Sequence, residues 1–138
     1  MTLHKSPLTI FISLFAFLLI PAQAELSPKS YRNLQAKAPE VLQIQLKARK
    51  SSRLSLLNFS RDRNERLEAT VLSVTRSKSG LKAGDKIVIT YQHRKSRGPG
   101  PRPIPKLANG GKYPAWLSKT AEGTYSPAAR GFSFSVVN

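Results

Sequence analysis

The sequence predicts a small, mostly β domain, a barrel of about five strands with long loops and little helix. Three observations lead to this prediction. Short runs of alternating apolar and polar residues recur from residue 41 onward, and alternation is the period of a half-buried strand. Long segments rich in glycine and proline separate several of these runs. Residues 25–138 provide 114 residues, enough for one domain with one modest core and not for two.

Residues 1–24 have the pattern of an export signal. A short positive region that ends at Lys5 precedes an apolar run from Leu8 to Ile20, and the segment closes with Ala22-Gln23-Ala24. Small residues occupy the two positions that a signal peptidase recognises. The apolar run is shorter than the roughly 20 residues that span a bilayer, which argues against an uncleaved anchor. We therefore expect cleavage before Glu25 and a periplasmic or secreted protein.

The first half of the mature chain predicts a lead-in and one strand. Residues 25–40 are polar, carry two prolines and predict no more than one short helical turn. Residues 41–48, VLQIQLKA, alternate and predict the first strand, which opens a single domain at 41–138. Residues 49–66 fit no single period and predict a long, partly structured hairpin connection.

The clearest strand pattern follows in two runs at residues 67–75 and 86–92, which predict an antiparallel pair. Gly84 lies just before the second run, where we expect it to supply the positive φ angle of the turn. Residues 94–111 hold four prolines and four glycines, which exclude a regular helix or a central strand and predict a long loop.

The C-terminal part predicts two further strands. KYPAWL, residues 112–117, is expected to bury Tyr113 or Trp116. GFSFSVV, residues 131–137, alternates and predicts a strand at the end of the chain. Between them, residues 126–129 are expected to start one helical turn with proline at its first position. The strand count fits an OB-like Greek-key barrel.

Glycines and aromatic residues of the second half resemble the C-terminal part of a netrin-type module. They follow the Gly84-Asp85 strand entry and are Gly111, Tyr113, Leu117, Gly123 and Phe132. The resemblance covers residues 67–135 and implies the OB-like fold that this family shares with tissue inhibitors of metalloproteinases. Those inhibitors chelate the zinc of the protease through an N-terminal cysteine. This chain contains no cysteine, so that mechanism does not carry over.

The residues favour no catalytic, metal or cofactor site. His93 is the one histidine after residue 24, and no G-x-S-x-G motif or nearby acid suggests a serine-type triad. One histidine and scattered carboxylates do not supply a zinc site. Asp62, Glu65 and Glu68 alternate with arginines at 61, 63 and 66, so we expect them to form ion pairs there rather than a catalytic pair. A non-enzymatic protein without cofactors is expected.

The net charge indicates an acidic partner. The chain has 23 lysines and arginines against 7 acidic residues, a formal charge of +16. Such a field favours nucleic acid, acidic polysaccharide, anionic lipid or an acidic protein. Five cations without an intervening acid lie in the Pro/Gly loop and form the predicted contact surface: Arg94, Lys95, Arg97, Arg102 and Lys106. Three aromatic residues are candidates for supporting it by stacking, or else for core packing: Tyr91, Tyr113 and Trp116.

Two functions remain from this reasoning. The first is an exported, basic binding module for an acidic polymer or an acidic protein surface. The second is a protein-docking or inhibitor-like module that uses the Pro/Gly loop. Salt separates them, because polyanion binding weakens steeply with ionic strength and an apolar loop contact does not. An exported enzyme with chemistry that the motifs do not reveal ranks third.

Overall fold

The computed structural model describes residues 25–53, 62–94 and 100–138. The expected export signal at 1–24 lies outside these ranges. The described elements are, in chain order, helix α1 at Pro28–Lys37, strands β1 at Glu40–Arg53, β2 at Arg63–Ser77, β3 at Lys86–His93, β4 at Lys112–Lys119 and β5 at Tyr125–Pro127, and a 3₁₀ turn at Arg130–Phe132. Within the described ranges, no helix is long and apolar enough to cross a membrane.

The five strands form a closed barrel in the order β1-β2-β3-β5-β4. Neighbouring strands are antiparallel, except that β3 and β5 run parallel and meet at Ile89 and Tyr125. The prediction of a small, mostly β, five-stranded barrel with long loops and little helix is confirmed. Closure joins β4 to residues 40–45 of β1, which reduces the free sheet edge open to edge-to-edge association.

The core fills the barrel with the inward residues of the strands. Two core residues lie outside the strands: Leu107 in the loop after β3 and Phe134 in the C-terminal segment. The other fully buried apolar members are Leu42, Ile44, Leu46, Leu67, Ala69, Val71, Ile87, Ile89, Ala115, Leu117 and Tyr125. The alternation in residues 41–48, 67–75 and 86–92 therefore identified most of the interior correctly.

The lead-in is a ten-residue helix rather than the single turn expected from its composition. Ser27 caps α1 by accepting a hydrogen bond from the Ser30 backbone N–H at 3.2 Å, and Pro28 begins it with a φ angle already suited to a helix. At the other end, the Arg76 guanidinium donates to the carbonyl oxygens of Ala36 and Ala38. These groups satisfy helix ends that would otherwise lack partners.

The predicted C-terminal strand at 131–137 is wrong. The fifth strand is Tyr125–Pro127, where the helical turn at 126–129 was expected, and a 3₁₀ turn follows it. Arg130 has a φ angle of 50°, a left-handed conformation that interrupts an extended chain. Phe134 is nevertheless buried as the alternation indicated, whereas Val136 is 62% exposed.

Gly84 has the predicted positive φ angle, at 93°. Its backbone N–H donates to the carbonyl oxygen of Val71, and the Val71 N–H donates to Asp85, each at 2.8 Å. The turn therefore extends the pairing between the end of β2 and the start of β3. A side chain at this position would be strained by the backbone angle and not by crowding, since no atom lies within 4 Å of a Cβ built there.

Candidate functional site

The site begins with a bulge in β1. Leu46 pairs with Ala69 and Ala48 with Glu68, so Lys47 is an extra residue between two rungs. A bulge of one residue exchanges the two faces of a strand. Leu46 points into the barrel, and beyond the bulge Arg49 is the inward residue. The last part of β1 therefore carries polar and basic side chains to the inside of one barrel end, which we call the mouth.

Glu65 lies at the base of this mouth and is 2% exposed. Arg49 donates to its two carboxylate oxygens, from Nε at 2.8 Å and from Nη2 at 2.9 Å. Ser51 Oγ donates to Oε1 at 2.8 Å. The carboxylate therefore accepts three hydrogen bonds, which is the usual condition for burying a charge.

The charges at the base stabilise one another. Burial raises the pKa of the Glu65 carboxyl, but the hydrogen bonds from Arg49 and Ser51 and the positive charges of Arg49 and His93 outweigh it, so the pKa lies below its usual value. The hydrogen bond with Glu65 raises the pKa of Arg49 above its ordinary value. The pair stays ionised, and Glu65 offers no free negative charge to the rest of the mouth.

These ion pairs differ from those expected from sequence neighbours. Glu65 pairs across the strands with Arg49, and Glu68 with Lys50 at 3.5 Å. The expected partners among residues 61, 63 and 66 are adjacent in sequence, and consecutive residues of a strand point to opposite faces. The exposed Lys50 pair contributes little to stability.

Tyr91 lies beside Glu65, as its registered partner on β3. The ring is half-buried and packs against the core. Burial, assisted by the negative charge of Glu65 and partly opposed by Arg49, raises the pKa of Tyr91 to about 12. The phenol is therefore neutral at physiological pH and forms part of the floor of the mouth.

One rung further out, the same face carries Arg53, Arg63 and His93. Arg53 pairs with Arg63, and Arg63 with His93, across three neighbouring strands. Both arginines are exposed and His93 is half-buried. Within the described ranges, neither arginine forms an ion pair. We call these three residues the basic rung.

A groove continues from His93 to the Pro/Gly loop. It has a volume of about 370 Å³ and is lined by the end of β3, residues 100–104, and Arg130 with Gly131. Three exposed arginines border it: Arg94, Arg102 and Arg130. We call these three residues the groove arginines. Among the described residues that line the groove, none is acidic.

The described part of the loop is firmly attached to the rest of the protein. The Arg102 backbone N–H donates to the Tyr31 hydroxyl at 2.9 Å, and the Arg102 guanidinium lies 4.8 Å from the centroid of the Phe132 ring. Leu107 is part of the core. A Cβ at Gly131 would overlap the carbonyl oxygen of Arg102, so glycine permits this close approach. The Arg102 side chain is thus presented from a fixed backbone.

Lys106 lies in a second depression of about 280 Å³, which Arg49, Ser51 and Asn109 also line. Tyr113 supports its wall, because the Tyr113 hydroxyl accepts a hydrogen bond from the Ala108 N–H at 2.9 Å. Lys106 therefore joins the mouth from the side of β1 rather than from the groove.

The predicted contact residues thus divide into three groups. Arg94 and Arg102 line the groove together with Tyr91, and Lys106 lies in the neighbouring depression. Lys95 and Arg97 lie outside the described residues. Trp116 lines neither depression; it pairs with Val41 near the start of β1, beside α1, and is half-buried there rather than in the interior.

Sequence reasoning missed three cations of the mouth. Arg53 and Arg63 were assigned to an irregular connection, and only the strand register places them opposite each other. Arg130 reaches the groove through the fold of the C-terminal segment. The excess of basic residues in 49–66 was the one signal available for the first two.

Comparisons with known proteins add no family. No protein-family model matches the chain, and no curated protein or solved structure shows a significant match. The netrin-type resemblance therefore stays a prediction. In the described part of the chain, no group of three or more histidine, cysteine or acidic residues is arranged to hold a metal ion.

Proposed function

We propose that this protein is an exported, non-enzymatic binding module whose mouth binds an acidic partner. The observation that carries the proposal is the convergence of two sets of basic residues. The basic rung and the groove arginines meet at His93, which belongs to the rung and also lines the groove. Lys106 adds a cation from the other side.

The chemistry of these cations suits oxyanions. Five of them are arginines, whose planar guanidinium groups match carboxylate, phosphate and sulfate oxygens with two parallel hydrogen bonds. Solvated lysines alone would provide solubility equally well. Five arginines instead lie together at one barrel end, which favours recognition of an anion over a general role in solubility.

The rigidity of the loop supports binding as well. Segment 100–107 is held by Tyr31, by the Phe132 ring and by Leu107 in the core. A surface whose backbone is already ordered loses less conformational entropy when a partner binds.

The fold supports an OB-type assignment within this proposal. The closed order β1-β2-β3-β5-β4 with a parallel β3–β5 contact fits a five-stranded Greek-key barrel, and OB barrels bind oligosaccharides and oligonucleotides near strands 2 and 3. The basic rung contains one residue from each of these strands. Fold likeness alone does not determine function, so the proposal depends on the basic residues of the mouth.

The alternative of an apolar docking loop has less support. The two large apolar residues in the described part of the loop, Ile104 and Leu107, pack against the core, while Arg102 and Lys106 are exposed. A partner that approached this segment would meet mainly charge.

Retention of residues 25–138 on immobilised heparin, measured over a range of salt concentrations, tests the proposal. We expect retention that falls steeply with the logarithm of salt concentration. Replacing the groove arginines Arg94, Arg102 and Arg130 together with glutamine should reduce retention strongly. The matched control replaces Lys78, Lys82 and Lys119, three exposed cations at the other barrel end, and should have a small effect. Salt-independent retention, or equal losses in the two variants, would contradict the proposal.

A further inference from the structure

We propose that the basic rung, Arg53, Arg63 and His93, is an oxyanion site that takes a phosphate or sulfate ester group of an anionic polysaccharide. This inference rests on the proposed function and names the ligand chemistry at the mouth.

The two arginines of the rung lie close enough together to share one anion. They are directly opposite on antiparallel strands and share a face, and the Cβ atoms of such partners are about 4.5–5.5 Å apart. Two long guanidinium side chains that start this close together can reach the same anionic group. His93, the next partner on β3, adds a third nitrogen donor from the adjacent strand.

In residues 25–53, 62–94 and 100–138, neither arginine of this rung forms an ion pair. Like charges directly opposite on a sheet are destabilising. The outward rung of Lys50 and Arg66 is also basic, but there Glu68 forms an ion pair with Lys50 at 3.5 Å. On the strand face of the rung, the nearest acid is Glu65, and its oxygens accept hydrogen bonds from Arg49 and Ser51. The arginine pair is therefore arranged for an external anion.

The number of oxygens favours an ester group over a carboxylate. A carboxylate that accepts one guanidinium fork in a bidentate contact still has lone pairs for other donors, but it offers only two oxygens and one negative charge to two arginines. A phosphate or sulfate ester has three terminal oxygens and can accept from both forks and from an imidazole N–H. Two permanent positive charges also match a phosphate ester of charge near −2 better than a single carboxylate.

The positions of the aromatic residues favour a polysaccharide over a nucleic acid. Proteins that bind single-stranded nucleic acid without sequence preference stack bases on aromatic side chains. In residues 25–53, 62–94 and 100–138, no aromatic ring stands free beside the basic rung: Tyr31, Tyr125 and Phe134 are buried, Tyr91 and Tyr113 pack against the core, Phe132 contacts Tyr31 and Arg102, and Trp116 lies at the other barrel end. Recognition here depends on charge and not on stacking.

The test compares two polymers and three double variants of residues 25–138. Heparin carries sulfate esters and carboxylates, whereas polygalacturonate carries carboxylates alone. Arg53→Gln with Arg63→Gln should lower the affinity for heparin about tenfold or more, because it removes charge-assisted hydrogen bonds, and should change binding to polygalacturonate much less. The double variant Arg53→Lys, Arg63→Lys keeps the charge, and its affinity for heparin should lie between those of the wild type and the glutamine variant. Lys78→Gln with Lys82→Gln is the matched control and should bind heparin nearly as well as wild type.

A thermal measurement provides a second readout that does not depend on a polymer. Removing two opposed like charges should leave the melting temperature of the free protein unchanged or raise it. Sodium sulfate should stabilise the wild type more than the Arg53→Gln, Arg63→Gln variant at equal ionic strength, because a ligand that binds the folded state stabilises it. Equal stabilisation of both proteins by sulfate would overturn the oxyanion site.

The remaining outcomes separate the two proposals. Wild type that does not bind heparin contradicts the proposed function itself. Heparin binding that survives the Arg53, Arg63 glutamine variant contradicts only the oxyanion site. A thymidine oligonucleotide that binds much more tightly than an abasic strand of the same length would show stacking and would overturn the choice of a polysaccharide, since stacking contributes about 1–3 kcal/mol per base.

Discussion

Replacing Glu65 with glutamine is expected to destabilise the protein by about 3 kcal/mol. The substitution keeps the shape of the side chain but leaves Arg49 without its counter-charge, at a site where the Arg49 side chain is 17% exposed. Breaking a buried pair by removing one partner costs about 3–5 kcal/mol, and partial access of Arg49 to water places the cost near the lower end. Since small domains are stable by about 5–15 kcal/mol, this is a large fraction of the total.

Urea denaturation at pH 7 measures this loss. With a slope of about 1–3 kcal/mol per molar urea, the midpoint should fall by about 1–3 M. The double variant Arg49→Met, Glu65→Leu removes both charges and should recover much of the stability, because apolar replacements of a whole buried pair are often neutral. A Glu65→Gln cost below about 1 kcal/mol, or a double variant as unstable as the sum of the two single variants, would refute the reasoning.

The pH dependence follows from the direction of the Glu65 shift. The pKa of Glu65 is lowered in the folded state, against about 4.3 for an unperturbed glutamate. The carboxylate therefore stabilises the fold fully above about pH 4.3, and this contribution is lost as pH falls through the folded-state pKa. The stability difference between wild type and Glu65→Gln should accordingly narrow in acid, which the same urea titration detects when it is repeated at low pH.

Further predictions concern the core, the turn and the loop anchor. Phe134→Ala should lower the free energy of unfolding by about 3–5 kcal/mol, because it leaves a cavity in the core. Urea denaturation measures this loss, and a loss under about 1 kcal/mol would contradict the burial of Phe134. Gly84→Val should also destabilise, through backbone strain at a φ of 93°, whereas Ala83→Val should cost less. Gly131→Ala should weaken heparin retention by displacing Arg102, with circular dichroism expected to show the same strand content as wild type. Unchanged retention in Gly131→Ala would show that this contact does not position the groove.

The strands that sequence predicted best are those whose alternation is uninterrupted. Residues 86–92 form almost the whole of β3, Lys86–His93, and point the expected side chains inward. In β1 the alternation holds as far as Leu46 and is then reversed by the extra residue Lys47. A bulge has no compositional signature in this chain, so the sequence could not show that Arg49 points inward.

The elements that the sequence predicted wrongly owe their conformation to tertiary contacts. The buried face of α1 consists of Tyr31 and Gln35, too few apolar residues to produce a helical pattern. The Gln35 amide donates to the carbonyl oxygens of Phe132 and Ser135, each at 2.8 Å, which ties the helix to the C-terminal segment. The same segment alternates like a strand, yet its backbone forms a turn beginning at Arg130. Local patterns carry no information on such distant partners.

The candidate site was predictable in part. A cluster of loop cations was evident from composition, and Arg94 and Arg102 do border one groove. The pairing of Arg53 with Arg63 depends on register, which in turn depends on the bulges of β1 and β2. Because register is a property of paired strands and not of either strand alone, the basic rung could be recognised only in the folded structure.

Mapping backbone amide chemical shifts during titration with a heparin oligosaccharide tests the central claim most directly. We expect the largest shifts to cluster at the mouth, on the basic rung and on Arg94 and Arg102, and to reverse when salt is added. Residues at the other barrel end, around Lys78 and Lys82, should shift little. The largest shifts at that end, or small shifts spread evenly over all basic residues, would contradict a binding site at the mouth.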